Sequence, residues 1–199
     1  MSDYWTDFVS ADPRFRPEAT CAEEALALLQ SELVSRSDGP SSGEIEVVNA
    51  DVVSAFFSPE GEHQSRCPRC GAELSERELS DWLSEDYGED GGFRLAPRAM
   101  VCCGSQVTLN ALAYERPFFA FARFGFRVMN PRWRFMETLD SERAVNEMVR
   151  NLDWIRADED EWRARRARRS VDLRAGEQRI AARLESILGC AIVLVYEHL

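Results

Sequence analysis

Apolar positions recur along this chain with two periods, and the switches between them lay out its elements. Ala22, Leu26, Leu29 and Leu33 return every three or four residues, as one face of an α-helix does, and Thr20-Cys21-Ala22-Glu23 before them has the form of a capping box. The sequence therefore predicts an amphipathic helix from Thr20 to near Arg36. Ser37 to Gly43, rich in Ser, Gly and Pro, reads as a loop. Glu44 to Val48 then alternates, with Ile45 and Val47 on one face, and Val52 to Phe57 is a second apolar run; two strands are expected.

A second capping box, Ser75-Glu76-Arg77-Glu78, precedes Leu79, Trp82 and Leu83 on one helical face. Glu85 to Gly92 reads as an acidic loop, and Phe93 to Val101, Val107 to Tyr114 and Pro117 to Met129 read as extended. In the last of these, Phe118, Ala120, Ala122, Phe124, Phe126 and Val128 alternate with Arg123 and Arg127, which predicts a half-buried strand. Arg123-Phe124-Gly125-Phe126-Arg127-Val128 has a superficial likeness to the aromatic strand of an RNA-recognition module, whose exposed rings stack on bases. The phenylalanines fall on the apolar face, so core packing is expected of them.

From Ser141 the pattern is helical, through Val145, Met148, Val149, Leu152 and Ile155 into Asp158-Glu159-Asp160-Glu161 and then Arg163, Arg165, Arg166, Arg168 and Arg169. Glu159 with Arg163 and Glu161 with Arg165 stand four apart in the favourable order, the mark of a solvated helical face. The chain closes with Ile180, Leu184, Ile187 and Leu188 on a helix, Gly189 as its stop, and an apolar run from Cys190 to Tyr196 that reads as a central strand. Cys21 and Cys190 fall at core positions.

The other four cysteines carry the chemistry. Cys67-Pro68-Arg69-Cys70-Gly71 places two thiols on one tight turn, and Cys102-Cys103-Gly104 supplies a second pair closed by glycine. Zn²⁺ takes four soft or borderline ligands in a tetrahedron, and two residues between cysteines let both sulfurs reach one point. The adjacent pair can bind only if the chain turns there, because neighbours on a strand point to opposite faces. His63 is the alternative fourth ligand. A redox pair or plain buried thiols are the other readings; a thioredoxin-like site would need its Cys-x-x-Cys to open a helix in a βαβ unit.

Composition narrows the function. The 199 residues carry a formal charge of −11, and all 24 basic residues are arginine, which excludes a Walker lysine, a Schiff-base lysine and a lysine general base. Residues 1–100 hold 21 acids and 8 arginines, against 14 acids and 16 arginines in 101–199, so a phosphate backbone would meet only the second half favourably. No apolar run reaches the length of a membrane span and no secretory signal is visible, so a cytoplasmic protein is expected.

Arg66-Cys67-Pro68-Arg69-Cys70-Gly71, the tryptophan helix, Cys102-Cys103-Gly104, Thr108 to Leu112, Phe121-Ala122-Arg123-Phe124 and Leu188-Gly189-Cys190 to His198-Leu199 together resemble a group of uncharacterised bacterial zinc-ribbon proteins. The resemblance covers about residues 1–131 and 177–199. It implies one domain over 1–199 with zinc on Cys67, Cys70, Cys102 and Cys103, and it implies no activity; this sequence departs from the pattern over residues 132–176, which therefore read as a helical insertion.

The expected fold is α+β, a small mixed or antiparallel sheet with an embedded zinc ribbon and packed helices. The expected function is a zinc-stabilised, immunity-type or adaptor protein offering an acidic surface to a protein partner with a basic one. A nucleic-acid-binding ribbon using the Arg163–Arg169 arm is the alternative. A zinc-dependent hydrolase is weaker, since a four-cysteine zinc leaves no position open for water.

Overall fold

The computed structural model describes residues 4–34, 43–57, 64–114, 119–136 and 159–198, with side chains described from 171 to 196 in the last stretch. The fold is α+β with antiparallel sheets. Strands β1 (Tyr4–Ser10), β2 (Glu44–Phe57), β8 (Phe119–Met129) and β9 (Ile192–His198) form a four-stranded sheet in the order β2-β8-β1-β9. Helices α1 (Ala19–Glu32) and α3 (Glu159–Leu188) contribute to a core with this sheet: Leu28 and Leu29 of α1 and Ile180 and Leu184 of α3 meet Phe8, Phe124, Phe126 and Val128. Trp133 closes that core, fully buried, with its ring edge-on to Phe8 at 5.9 Å.

Strands β2 and β8 are antiparallel neighbours, yet about sixty residues separate them in sequence. That connection is the cysteine-bearing region. It contains β3 (Ser65–Arg66), β4 (Glu73–Leu74), α2 (Glu76–Asp86), β5 (Arg98–Ala99), β6 (Gln106–Val107), a 3-10 turn at Leu109–Ala111 and β7 (Ala113–Tyr114). Its short strands form two separate small sheets, β4-β3-β7 and β5-β6.

Several expectations shift for tertiary reasons. Helix α1 begins at Ala19 with Glu18 as its cap residue, so Thr20 lies inside the first turn and its capping box is unused. Arg16 anchors the chain just before, on the Ala50 carbonyl and the Asp51 carboxylate. The helix ends at Glu32 rather than near Arg36, because Leu33 bridges to Trp133 and the Val34 N–H donates to the Arg132 carbonyl. The two strands expected over 44–57 are one strand, whose register on β8 shifts between Asn49 and Ser54. Phe93 to Val101 is not a continuous strand; only Arg98–Ala99 pairs, besides the isolated bridge of Phe93 to Tyr87.

Strand β8 is buried on both sides rather than one. Phe124, Phe126 and Val128 meet the helices, Phe121 belongs to the core of the cysteine-bearing region, and Arg127 pairs with the buried Asp7 at 3.3 Å. The C-terminal strand β9 is the sheet's edge, not a central strand. Its apolar run is accounted for by its faces: Ile192 and Leu194 pack with the helix-side cluster, Val193 and Val195 with the cluster around Val9 and Phe56. Apolar pattern reports which faces are covered and carries no information about which edges are paired.

Candidate metal centre

Two hairpins present the four thiols. In the first, between β3 and β4, the Cys67 N–H donates to the Ala72 carbonyl at 2.9 Å and the Gly71 N–H to the Cys67 carbonyl at 2.9 Å. In the second, between β5 and β6, the Met100 N–H donates to the Ser105 carbonyl at 2.9 Å and the Gly104 N–H to the Met100 carbonyl at 2.7 Å. Gly71 and Gly104 close these turns at φ +75° and +71°, a conformation that favours glycine because it brings a Cβ too near a carbonyl oxygen. The two turns thus share one hydrogen-bond pattern, in which Cys103 answers Cys70 and Met100 answers Cys67. The first ligand position of the second turn is filled by a methionine, buried in the same apolar cluster as Cys67. Cys102 stands instead at the position of Arg69.

The arrangement nevertheless brings all four sulfurs within 4.8 Å of one another. Cys67 and Cys103 are 3.7 Å apart, Cys70 and Cys102 3.3 Å. Four sulfurs each about 2.3 Å from a central ion form a tetrahedron with edges of about 3.8 Å, so the donor set fits a tetrahedral metal ion. These four cysteines can hold one. Cys67 is buried and the other three are exposed. Hydrogen bonds from the Ser105 hydroxyl and N–H hold the Cys103 thiol down to about 6, whereas the hydrogen bond with Cys70 pushes Cys102 up to about 12.

The support beneath the turns comes from α2. Its capping box is complete, the Glu78 N–H donating to the Ser75 hydroxyl and the Ser75 N–H to the Glu78 carboxylate. Leu79 and Trp82 bury against Cys67, Met100, Val107 and Leu109. The Arg98 guanidinium stacks over the Trp82 ring at 5.6 Å, which lays the strand leading into the second turn against α2, and it meets Glu85 at the surface at 3.0 Å. Asp86, buried at the end of α2, accepts the Leu95 and Ala96 N–H groups at 2.7 and 2.9 Å. Those two bonds hold Leu95 at φ +54°, where a branched residue is strained.

Sequence spacing brings forward all four thiols and the helix beside them. It misses the correspondence of Met100-x-x-Cys103-Gly104 with Cys67-x-x-Cys70-Gly71, which aligning the two glycines would expose. It also misses Ser105 and Asp86. His63 lies outside the described residues. Cys21 and Cys190 pack, half-buried, on the helix-side core. The backbone from Glu159 is helical as expected, but the side chains of Arg163 to Arg169 and their acidic neighbours lie outside the described residues, as does the helix expected over 145–155.

No family model, no curated protein and no solved structure matches the chain. The likeness to bacterial zinc-ribbon proteins therefore rests on the sequence motifs. Among the described residues no helix is long and apolar enough to cross a membrane.

Proposed function

We propose that Cys67, Cys70, Cys102 and Cys103 hold one structural Zn²⁺, and that the protein is a cytoplasmic interaction protein of the immunity or adaptor kind. The observation that carries the reading is the donor set. Four thiolates complete the tetrahedron around zinc and leave no position for a substrate or a reactive water, which favours architecture over hydrolysis. Zinc bound here ties together two hairpins with two-residue strands, while α2 and its apolar face support them from below.

The surface around such a centre is acidic. Glu76, Glu78, Asp81 and Glu85 are exposed on α2, and the pairs of Asp81 with Arg77 and Glu85 with Arg98 lie on the surface, where ion pairs are weak and exchangeable. With the chain's charge of −11, this suits a partner with a basic surface, met through charge steering. In this reading residues 1–199 are one zinc-binding domain and 132–176 an insertion in it.

The deciding experiment is elemental analysis of the purified protein with zinc-edge X-ray absorption. One zinc per chain with four sulfur neighbours is the expected result. A nitrogen or oxygen neighbour would turn the reading towards a hydrolase, and absence of bound metal would end it.

A further inference from the structure

Away from the cysteines, a cleft of about 360 Å³ opens where the cysteine-bearing connection meets the four-stranded sheet. Three arginines line it from three distant stretches: Arg14 beyond β1, Arg94 beyond α2 and Arg123 within β8. None of the three forms an ion pair with a described carboxylate, and the Nε of Arg123 is buried without a hydrogen-bond partner among the described residues. That Nε, closed to solvent, is not itself a ligand contact; Arg123 meets the cleft as one of its three lining cations.

The backbone around the cleft is tied in place. The Arg123 N–H donates to the Pro13 carbonyl at 3.1 Å, which fixes the residue before Arg14 against β8. The Phe93 N–H donates to the Val53 carbonyl at 2.8 Å, which fixes the residue before Arg94 against β2. This second contact depends on Gly92, where an added Cβ would come within 2.4 Å of the Val52 Cβ. The register shift of β2 between Asn49 and Ser54 places Val52 and Val53 at this junction. Three arginines are thus rooted around one space by backbone already tied in place, with the Arg94 guanidinium also donating to the Glu85 carbonyl at 3.3 Å, which lowers the cost of binding.

The charge balance selects the ligand. Asp90 also lines the cleft, and Asp51 lies close enough to feel Arg123 but is engaged by Arg16. A net positive cleft flanked by acids, in a chain of charge −11, suits a short dianion and repels a long polyanion. Guanidinium forks match phosphate oxygens in pairs, and Val52, Val53 and Phe93 supply an apolar wall for an organic group.

We propose that this cleft binds the phosphoryl group of a small phosphorylated molecule, with the organic part against Val52, Val53 and Phe93. Bound there, the ligand joins the cysteine-bearing connection to the sheet.

The test is calorimetric titration of the full metal-loaded chain with phenyl phosphate, inorganic phosphate, benzoate and acetate at matched ionic strength. Phenyl phosphate is expected to bind saturably and most tightly, with inorganic phosphate ahead of both carboxylates. Arg14→Gln and Arg94→Gln alter exposed side chains, and each is expected to weaken phenyl phosphate roughly ten-fold, the effect of losing one charge-assisted hydrogen bond. Arg123→Gln is expected to abolish binding, and Arg77→Gln to leave it unchanged. Benzoate binding as tightly as phenyl phosphate would overturn the phosphoryl assignment. Wild-type affinity in both Arg14→Gln and Arg94→Gln, an equal loss in Arg77→Gln, or no saturable binding would overturn the site. Zinc content measured on the same samples separates a failure of the cleft from a failure of the metal centre.

Discussion

The four-stranded sheet and the connection that interrupts it reach order by different means. The sheet's strands run from seven to fourteen residues, and its helix-side core buries Phe8, Phe124, Phe126, Val128, Trp133 and Leu184 completely. The connection's described strands are two residues each, far below what a self-supporting ladder needs, and of its described core residues only Leu109 is wholly shielded. Each ordered residue costs about 1–2 kcal/mol of backbone entropy, which long ladders and a large core offset and short hairpins do not. The difference teaches why the thiols cluster where they do. A metal held by these four thiols would supply a cross-link where apolar burial runs short, on the order of 10 kcal/mol of folding free energy for a structural zinc.

The contrast between the two regions is most readily broken at the metal. Chelation, or Cys67→Ser, is expected to remove amide-exchange protection across residues 64–114 while β1 and β8 keep theirs. Equal loss in both regions would mean that the two are one cooperative unit and that the contrast is mistaken. Next in size is Phe126→Ala, a large-to-small change in the sheet's core with an expected cost of about 3–5 kcal/mol. Urea unfolding should show a lower midpoint with metal content unchanged; loss of metal alongside would couple the regions instead.

The smallest effect concerns pH, where the two regions should differ in sign. Glu177 on α3 is fully buried, accepting from the Thr6 hydroxyl at 3.0 Å and the Trp133 Nε1–H at 2.9 Å. Burial pushes its carboxyl above the ordinary 4.5, so the folded protein holds that proton more tightly than the unfolded chain does. Its contribution is therefore most favourable below about 4.5 and is lost as pH rises through the folded value. Metal binding runs the other way, because acid protonates the thiolates. Unfolding of Glu177→Gln and wild type, compared at pH 5 to 8, should show wild type losing stability relative to the variant as pH rises. A pH-independent difference would place the Glu177 proton outside the folding equilibrium.

Much of this is legible in local pattern. The Ser75 capping box, the apolar face of Leu79 and Trp82, and the Gly189 stop, whose N–H donates to the Glu185 carbonyl at 2.9 Å, all appear where spacing places them. Each depends on residues within one or two turns of each other, so short-range chemistry suffices. The Thr20 box fails because the approach to α1 is held from outside, by Arg16 on β2. Met100 carries no signal in a pattern of cysteines, because what makes the two turns alike is their backbone hydrogen bonding.

What the sequence by itself determined is the inventory: four thiols in two glycine-closed turns, an acidic first half, no lysine, and the periods that make helices and strands. Only the tertiary structure decided that the cysteine-bearing segment fills the connection between β2 and β8, that β9 lies at an edge, and that Arg14, Arg94 and Arg123 meet around one cleft. Periodicity records which side of an element is covered. Which distant element covers it depends on strand order and register, set by backbone pairings between residues as far apart as Tyr4 and His198, and no local pattern encodes them.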